Sequence, residues 1–405
     1  MPADTLPNLG HGRPYVAIPG PSVIPDRVLG AMHRASPNIY EGALPAMMPD
    51  LTRDLRAAAC TTQHVAIYVS NGHGAWEAAL ANTCAPGDRV LSLATGRFGH
   101  GWAEMARGLG LEVTQCDFGR SSPVDPQAVE DALRADTHHR IRAVLATHVD
   151  TASTVRNDIP AIRAAMDAAG HPALLLVDAI ASLGCEPLRM DDWGVDIVVA
   201  ASQKGLMTPP GLGFVWASDK ALAASRKLKG RSPYWTWDNR IAPEFFYQYF
   251  GGTAPTHHLY GLRAALDMLI HEEGIAAAWT RHRRLAQAVW AAAEAWGNGG
   301  AMALNIADPA QRSHAVTALR LNPPDASRLR HWTETQAGVT LGIGLGMAEP
   351  GDPAWHGYFR IAHMGHVNAH MVLGALGAID AGLKALSIPH GPGALDAATT
   401  ALMQL

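Results

Sequence analysis

Three short stretches of this chain carry residue types whose chemistry is costly to leave idle. Lys204 stands in Ser202-Gln203-Lys204-Gly205, directly behind the apolar run 197–201 and ahead of a Pro209-Pro210-Gly211 turn. A lysine in that setting is hard to read as a solvated surface residue; at the carboxyl edge of a sheet it is a Schiff-base candidate, because burial lowers its proton affinity and exposes the amine. Asp178 closes another apolar run, 173–177. A carboxylate there needs a cationic partner or suffers desolvation, although a capping or turn-forming Asp fits the same position. The third stretch, Ser70-Asn71-Gly72-His73-Gly74, follows the run 64–69 and opens a helical pattern. Free N–H groups and the helix dipole make such a loop a phosphate site, but it matches neither dinucleotide nor P-loop spacing, and an ordinary strand-to-helix turn fits as well.

The elements that must position these residues can be read from hydrophobic spacing. Apolar runs at 64–69, 90–94, 111–116, 141–147, 173–177, 197–201 and 213–217 alternate with helical patterns at 75–84, 101–110, 126–135 and 159–169. Continuous apolar strands separated by amphipathic helices predict an α/β fold, a mostly parallel sheet covered on both faces, with function at the carboxyl ends of the strands. Beyond about residue 255 the pattern changes to helices at 259–273 and 274–296, a turn at Asn298-Gly299-Gly300, and strand-like pieces at 315–321, 339–343 and 358–361. The expected organisation is an N-terminal arm over 1–25, a large domain over 26–260 and a smaller C-terminal α+β domain over 261–405.

Composition narrows the partners. The 405 residues carry 32 Lys+Arg against 36 Asp+Glu, and only five are lysines: Lys204, Lys220, Lys227, Lys229 and Lys384. So lysine-poor a chain lacks the dense positive face that nucleic acid or an anionic membrane would need. Four scattered cysteines without a CxxC pair suggest neither a zinc ribbon nor a disulfide framework, and favour a reducing compartment. The first residues show no basic segment followed by an apolar one, and no apolar run reaches membrane length, so the expectation is a soluble cytoplasmic protein. A phosphate cradle, a buried acid and a half-buried lysine are together what pyridoxal 5′-phosphate (PLP) requires for its phosphate, ring nitrogen and aldehyde.

On these residues the chain resembles the class V aminotransferases of PLP fold type I, in the branch of the serine-, alanine- and aspartate-glyoxylate enzymes. The likeness runs from Pro19-Gly20-Pro21-Ser22 to Phe359-Arg360-Ile361 and is most specific in Val177-Asp178, Ser202-Gln203-Lys204 and Pro209-Pro210-Gly211. The resemblance implies a seven-stranded large domain and a homodimer with active sites at the interface. It implies that Lys204 holds the cofactor aldehyde and moves the substrate proton, and that Asp178 pairs with the ring nitrogen. Asn71, Gly72 and His73 would contact the phosphate, Gln203 the phosphate or the ring, Phe98 would stack on the ring, and Thr151 would lie near the 3′-oxygen. Thr253 would reach a phosphate across the interface, and Arg360 would bind the substrate carboxylate, a match to a planar bidentate fork.

Three departures qualify the resemblance. Phe250 stands where relatives commonly carry a tyrosine, Ser153-Thr154 replaces the usual Thr-Gly, and residues 38–42, with Tyr40 and Glu41, replace a basic segment that faces the neighbouring site. An acidic Glu41 would disfavour a dicarboxylic donor, so serine or alanine is expected as donor and glyoxylate as acceptor. Aspartate or a non-amino-acid amine with pyruvate or glyoxylate is the alternative within the family. A PLP lyase or desulfurase would need a mobile cysteine, and a scaffold protein would not need Lys204, Asp178 and Arg360 together. His363, His366 and His370 lack a completing carboxylate or thiolate, so no metal is expected, and His363 is read as lining the substrate pocket. Gly342, Gly344 and Gly346 read as a turn in the smaller domain.

Overall fold

The computed structural model describes residues 8–403; residues 1–7, where the arm and the leader reading begin, and 404–405 lie outside the described residues. Strand β1 (Tyr15–Ala17) comes first, followed by β2 (His64–Ser70), β3 (Arg89–Ala94), β4 (Glu112–Asp117), β5 (Ile141–Thr147), β6 (Leu174–Asp178), β7 (Ile197–Ala201) and β8 (Gly211–Ala217). Strands β2 to β8 form a seven-stranded sheet in the order β2-β8-β7-β6-β5-β3-β4, in which β8 alone runs against its neighbours. Strands β6 and β7 are buried along their whole length, as expected of continuous apolar runs with helices on both faces. Two apolar clusters fill the space on either side, one around Leu175, Val177 and Phe214, the other around Leu174, Leu176 and Trp76.

Local chemistry sets the helix starts. Asn71 caps Gly72–Thr83, Asp125 caps Pro126–Ala135 and Asp158 caps Ile159–Ala168, and the last two helices carry proline in their first turn. Each cap oxygen takes amide protons that the helix cannot satisfy itself. The carboxyl ends of β2, β3, β5, β6 and β7 lie on one edge of the sheet, so the loops after them converge there.

The remaining strands, β9 (Ala303–Leu304), β10 (Val316–Arg320), β11 (Val339–Ile343) and β12 (Tyr358–Ala362), form a second sheet in the order β1-β11-β12-β10-β9. Three details depart from the sequence reading. The N-terminal arm is not a free arm throughout: β1 pairs in parallel with β11, Tyr15 opposite Val339, because Ala17 has a place in the second core. The expected boundary at 260/261 falls inside the helix Thr256–Leu266, whose Leu259, Leu262 and Leu266 belong to the large-sheet core. The expected helix over 259–273 is α-helical only to Leu266 and continues as a π-helix, Asp267–Glu273, which Gly274 ends at φ +84°.

Candidate active site

Lys204 lies in the loop that follows β7. It is buried, and its Nζ donates to the carbonyl of Pro19. The chain at 19–22 crosses over the lysine: Ser22 N donates to Gln203 O at 2.9 Å and Ser22 Oγ to Lys204 O at 2.7 Å. Gly20 is required at the crossing, since it sits at φ +105° and a Cβ there would lie 2.5 Å from Nζ. Burial first, and then the positive charge of Arg360, push the Lys204 ammonium down to about 8.

Asp178, at the end of β6, is buried as well. Its Oδ1 accepts from Ile180 N at 2.7 Å and its Oδ2 from Trp76 Nε1 at 3.1 Å. Burial, reinforced by the negative charge of Asp150, pushes this carboxyl up to about 7 against the lowering effect of those two donors and of Lys204. Trp76 comes from the helix Gly72–Thr83, stacks on Trp102 at 5.8 Å and meets the half-buried Phe98 ring edge-on at 6.2 Å. One indole therefore sets the carboxylate and supports the aromatic ring beside it.

Asn71 spends its side chain on the fold: Oδ1 accepts from His73 N at 3.0 Å and Gly74 N at 3.4 Å. Gly72 packs against the side chain of Ile180, 2.4 Å from where a Cβ would lie, which sets the helix N-terminus beside the loop after Asp178. His73 is exposed, with its ring 4.7 Å from Trp76. Gln203 is half-buried, and its Oε1 is enclosed without a hydrogen-bond partner.

Arg360 projects from β12 of the second sheet and is buried. Its Nε donates to Ile343 O at 2.7 Å and its Nη1 to Thr151 O at 2.6 Å. Among the described residues no carboxylate lies within 4.0 Å of it. Burial lowers its proton affinity to about 10, while Asp150 works the other way. Thr151 is buried and faces Arg360 through its carbonyl.

The structure thus gathers Lys204, Asp178, Asn71, Gly72, His73, Phe98, Thr151, Gln203 and Arg360 around the strand ends. It does not bring Tyr40, Glu41 or Thr253 to them. Tyr40 is 88% exposed, and Glu41 and Thr253 are exposed too. The reading of His363 as a pocket residue is corrected: it is fully buried, Nδ1 donates to His314 O at 2.7 Å, and Nε2 accepts from Thr317 Oγ1 at 2.9 Å. Burial holds it down to about 4, so the ring is neutral and both nitrogens are taken. Phe250 is a core residue packed edge-on against Phe246. Among the described residues the grouping close enough to hold a metal is Asp54, Asp267 and His271, where Arg53 and Arg263 already supply cations to Asp54. Cys185 lies near Lys204, but burial pushes its thiol up to about 12, which leaves it inert rather than a mobile nucleophile.

Sequence reading missed Asp150. This residue is fully buried between the loops that carry Phe98 and Thr151, and accepts four backbone N–H groups. The available signal was a second carboxylate after an apolar strand, in Thr147-His148-Val149-Asp150.

Known proteins resemble this chain over most of its length. The model of the family described as Aminotransferase class-V matches residues 51–356. The serine–glyoxylate aminotransferase of Methylorubrum extorquens is 36% identical, with 97% of this chain and 96% of that protein covered. The L-aspartate–glyoxylate aminotransferase of Paracoccus denitrificans is 36% identical over 92% of each chain. The crystal structure of pyridoxamine-pyruvate aminotransferase from Mesorhizobium loti superposes with a TM-score of 0.86 at 27% identity, covering 97% of this chain and 98% of that one. The chain belongs to the class V aminotransferase family. It is a fold type I transaminase, and its cofactor is PLP. The residues present suit that cofactor: an enclosed lysine amine and a buried carboxyl without a cation in hydrogen-bond contact. Among the described residues no helix is long and apolar enough to cross a membrane.

Proposed function

We propose that this enzyme moves the amino group of a small amino acid, serine or alanine, to a small 2-oxo acid, glyoxylate. The observation that carries the reading is Arg360, a buried guanidinium next to Thr151 with no carboxylate within 4.0 Å among the described residues. Donor and acceptor share a carboxylate beside the reacting carbon, and one bidentate site serves both. The names of the two relatives above support glyoxylate as acceptor.

Lys204 would hold the cofactor aldehyde, Asp178 would face the ring nitrogen, Phe98 would stack on the ring and Thr151 would lie near the 3′-oxygen. Asn71 fixes the turn, while Gly72 and His73 would take the phosphate and Gln203 the phosphate or the ring. When bound, PLP supplies an aldehyde that condenses with amines and a protonated ring that draws off the electron pair left at the substrate Cα. Lys204 Nζ takes the proton from that Cα. With its ammonium pushed down to about 8, roughly half of the amine is free at pH 8, where an ordinary lysine would be under about 1%. Asp178 retains negative charge where the ring is cationic, and Trp76 and Ile180 keep it aimed. The closed setting under residues 19–22 keeps water from the reacting atoms.

The active unit is a homodimer in which Tyr40, Glu41 and Thr253 of one subunit face the site of the other. Support comes from exposed apolar side chains near these segments, Phe245 and Tyr247, stacked at 6.0 Å. The small domain begins at Gly274 and includes β1. The cytoplasm is the proposed compartment, in keeping with four free cysteines.

The test is a half-reaction panel in which cofactor-loaded enzyme is mixed with single amines and the visible absorbance is followed, then glyoxylate or pyruvate is added. Serine and alanine should bleach the band and glyoxylate restore it, with glycine formed. Release of ammonia or sulfide without an acceptor would overturn the aminotransferase assignment, and rapid reaction of aspartate or a simple amine would replace the donor.

A further inference from the structure

We propose that Asp150 is a positioning residue that couples the cofactor-stacking ring to the substrate-carboxylate site. The juxtaposition is specific. Oδ2 accepts from Phe98 N at 2.8 Å and Gly99 N at 3.1 Å, the first amides of the helix Arg97–Gly108, and Oδ1 accepts from Ala152 N at 2.9 Å and Ser153 N at 3.3 Å. Gly96, the residue before that helix, supplies no side-chain cap, so Asp150 performs the capping from a loop 51–52 residues away in sequence. The backbone of its own loop closes on itself, with Thr154 N donating to Asp150 O at 2.8 Å, and the next residue, Thr151, presents its carbonyl to Arg360 Nη1 at 2.6 Å. A single carboxylate therefore fixes both the depth of Phe98 and the position of the acceptor that holds Arg360.

Its charge matters as well as its shape. Lys204 and Arg360 are the buried cations here, and Asp178 and Asp150 the buried anions, so the four formal charges balance. Asp150 also makes Asp178 a stronger proton acceptor and supports the charge on Arg360. Gly96 marks how closely the carboxylate is fitted, because a Cβ there would lie 2.6 Å from Asp150 Cγ and 2.8 Å from Ser153 Oγ.

The inference rests on the roles proposed above for Phe98 and Arg360, and its test separates the two. Amide hydrogen exchange on the cofactor-free chain should show the Phe98, Gly99, Ala152 and Ser153 amides of Asp150→Asn exchanging at least about tenfold faster, with β11 unchanged. In the loaded enzyme KM for donor and acceptor should each rise about tenfold with kcat changed far less, and the pH midpoint of the visible band should move down, since a negative charge felt by Asp178 and Arg360 has gone. Should Asp150→Asn not accumulate as folded protein, Gly96→Ala, which displaces the carboxylate, should loosen the same two loops together. Loosening of one loop without the other, or an unmoved KM and midpoint, would overturn the coupling. A wild-type chain that lacks aminotransferase activity yet shows paired exchange would overturn the function and leave Asp150's structural link standing.

Discussion

Arg360→Lys should treat donor and acceptor alike. An ammonium replaces the planar fork and gives up the contacts to Ile343 O and Thr151 O. A lost charge-assisted pair, about 1.5–3 kcal/mol, corresponds to a rise of about 10–100-fold in KM for both substrates in steady-state kinetics. Lys204→Ala should lose turnover and the visible absorbance of the loaded enzyme; retention of both would sink the lysine's role. Asp178 makes a prediction about stability. Its carboxyl is pushed up to about 7 from an ordinary value near 3.8, so between those values the folded cofactor-free chain binds more protons than the unfolded one. Stability from this group is therefore present at low pH and lost as pH rises from about 4 to about 7. Melting curves of cofactor-free Asp178→Asn should lack that decline; an identical pH slope in both proteins would contradict the buried, raised carboxyl. The burial of Lys204 and Asp178 was legible in the sequence because each follows or closes an apolar run, whereas Arg360 was picked out only by the family resemblance. Asp150 was not legible, because its partners are backbone amides brought from another loop, and main-chain donors leave no residue type to recognise. His363 was misread since its neighbours in sequence point to a pocket, while Thr317 and His314, which occupy its ring, come from the β10 side of the sheet.

Among the elements, the helix Gly72–Thr83 does two jobs with one face. Asn71 caps it and Trp76 carries its N–H to Asp178. Trp76→Phe keeps much of the aromatic packing against Trp102 and removes that donor. PLP affinity, measured by fluorescence titration, should fall about tenfold, and the Asp178 carboxyl should titrate still higher. Unchanged affinity would show that the indole only packs. The long strands were readable to within a residue or two, and β5, β7 and β11 were read with their observed limits, because unbroken apolar runs leave the sheet interior as the only place to go. Strands β1 and β9, with 3 and 2 residues, were beyond reach, since so short a segment has no period to detect. The switch from α- to π-helix at Asp267 was equally invisible. Arg263 and His271 both reach Asp54 of a different helix, a tertiary demand that local spacing does not encode.

For the molecule as a whole, the proposed dimer gives the exposed segments their meaning. Glu41→Arg should raise the reactivity of aspartate relative to serine by about tenfold, through removal of like-charge repulsion, and donor competition assays read the ratio. Equal ratios in both proteins would place Glu41 away from the substrate. Sedimentation at micromolar concentration should give the mass of two chains; full activity in a species of one chain would remove the shared site. A last consequence lies in the crossing at 19–22. Ala17 is stitched to Leu341 in the smaller sheet, and Ser22 is stitched to the backbone of Gln203 and Lys204 in the larger one. The four residues between them form a short tether, at most ~18 Å from anchor to anchor when taut. The carbonyl that takes the Lys204 proton is thus held between two anchors, one in each sheet, so the lysine is clamped by a strap that belongs to both halves of the molecule.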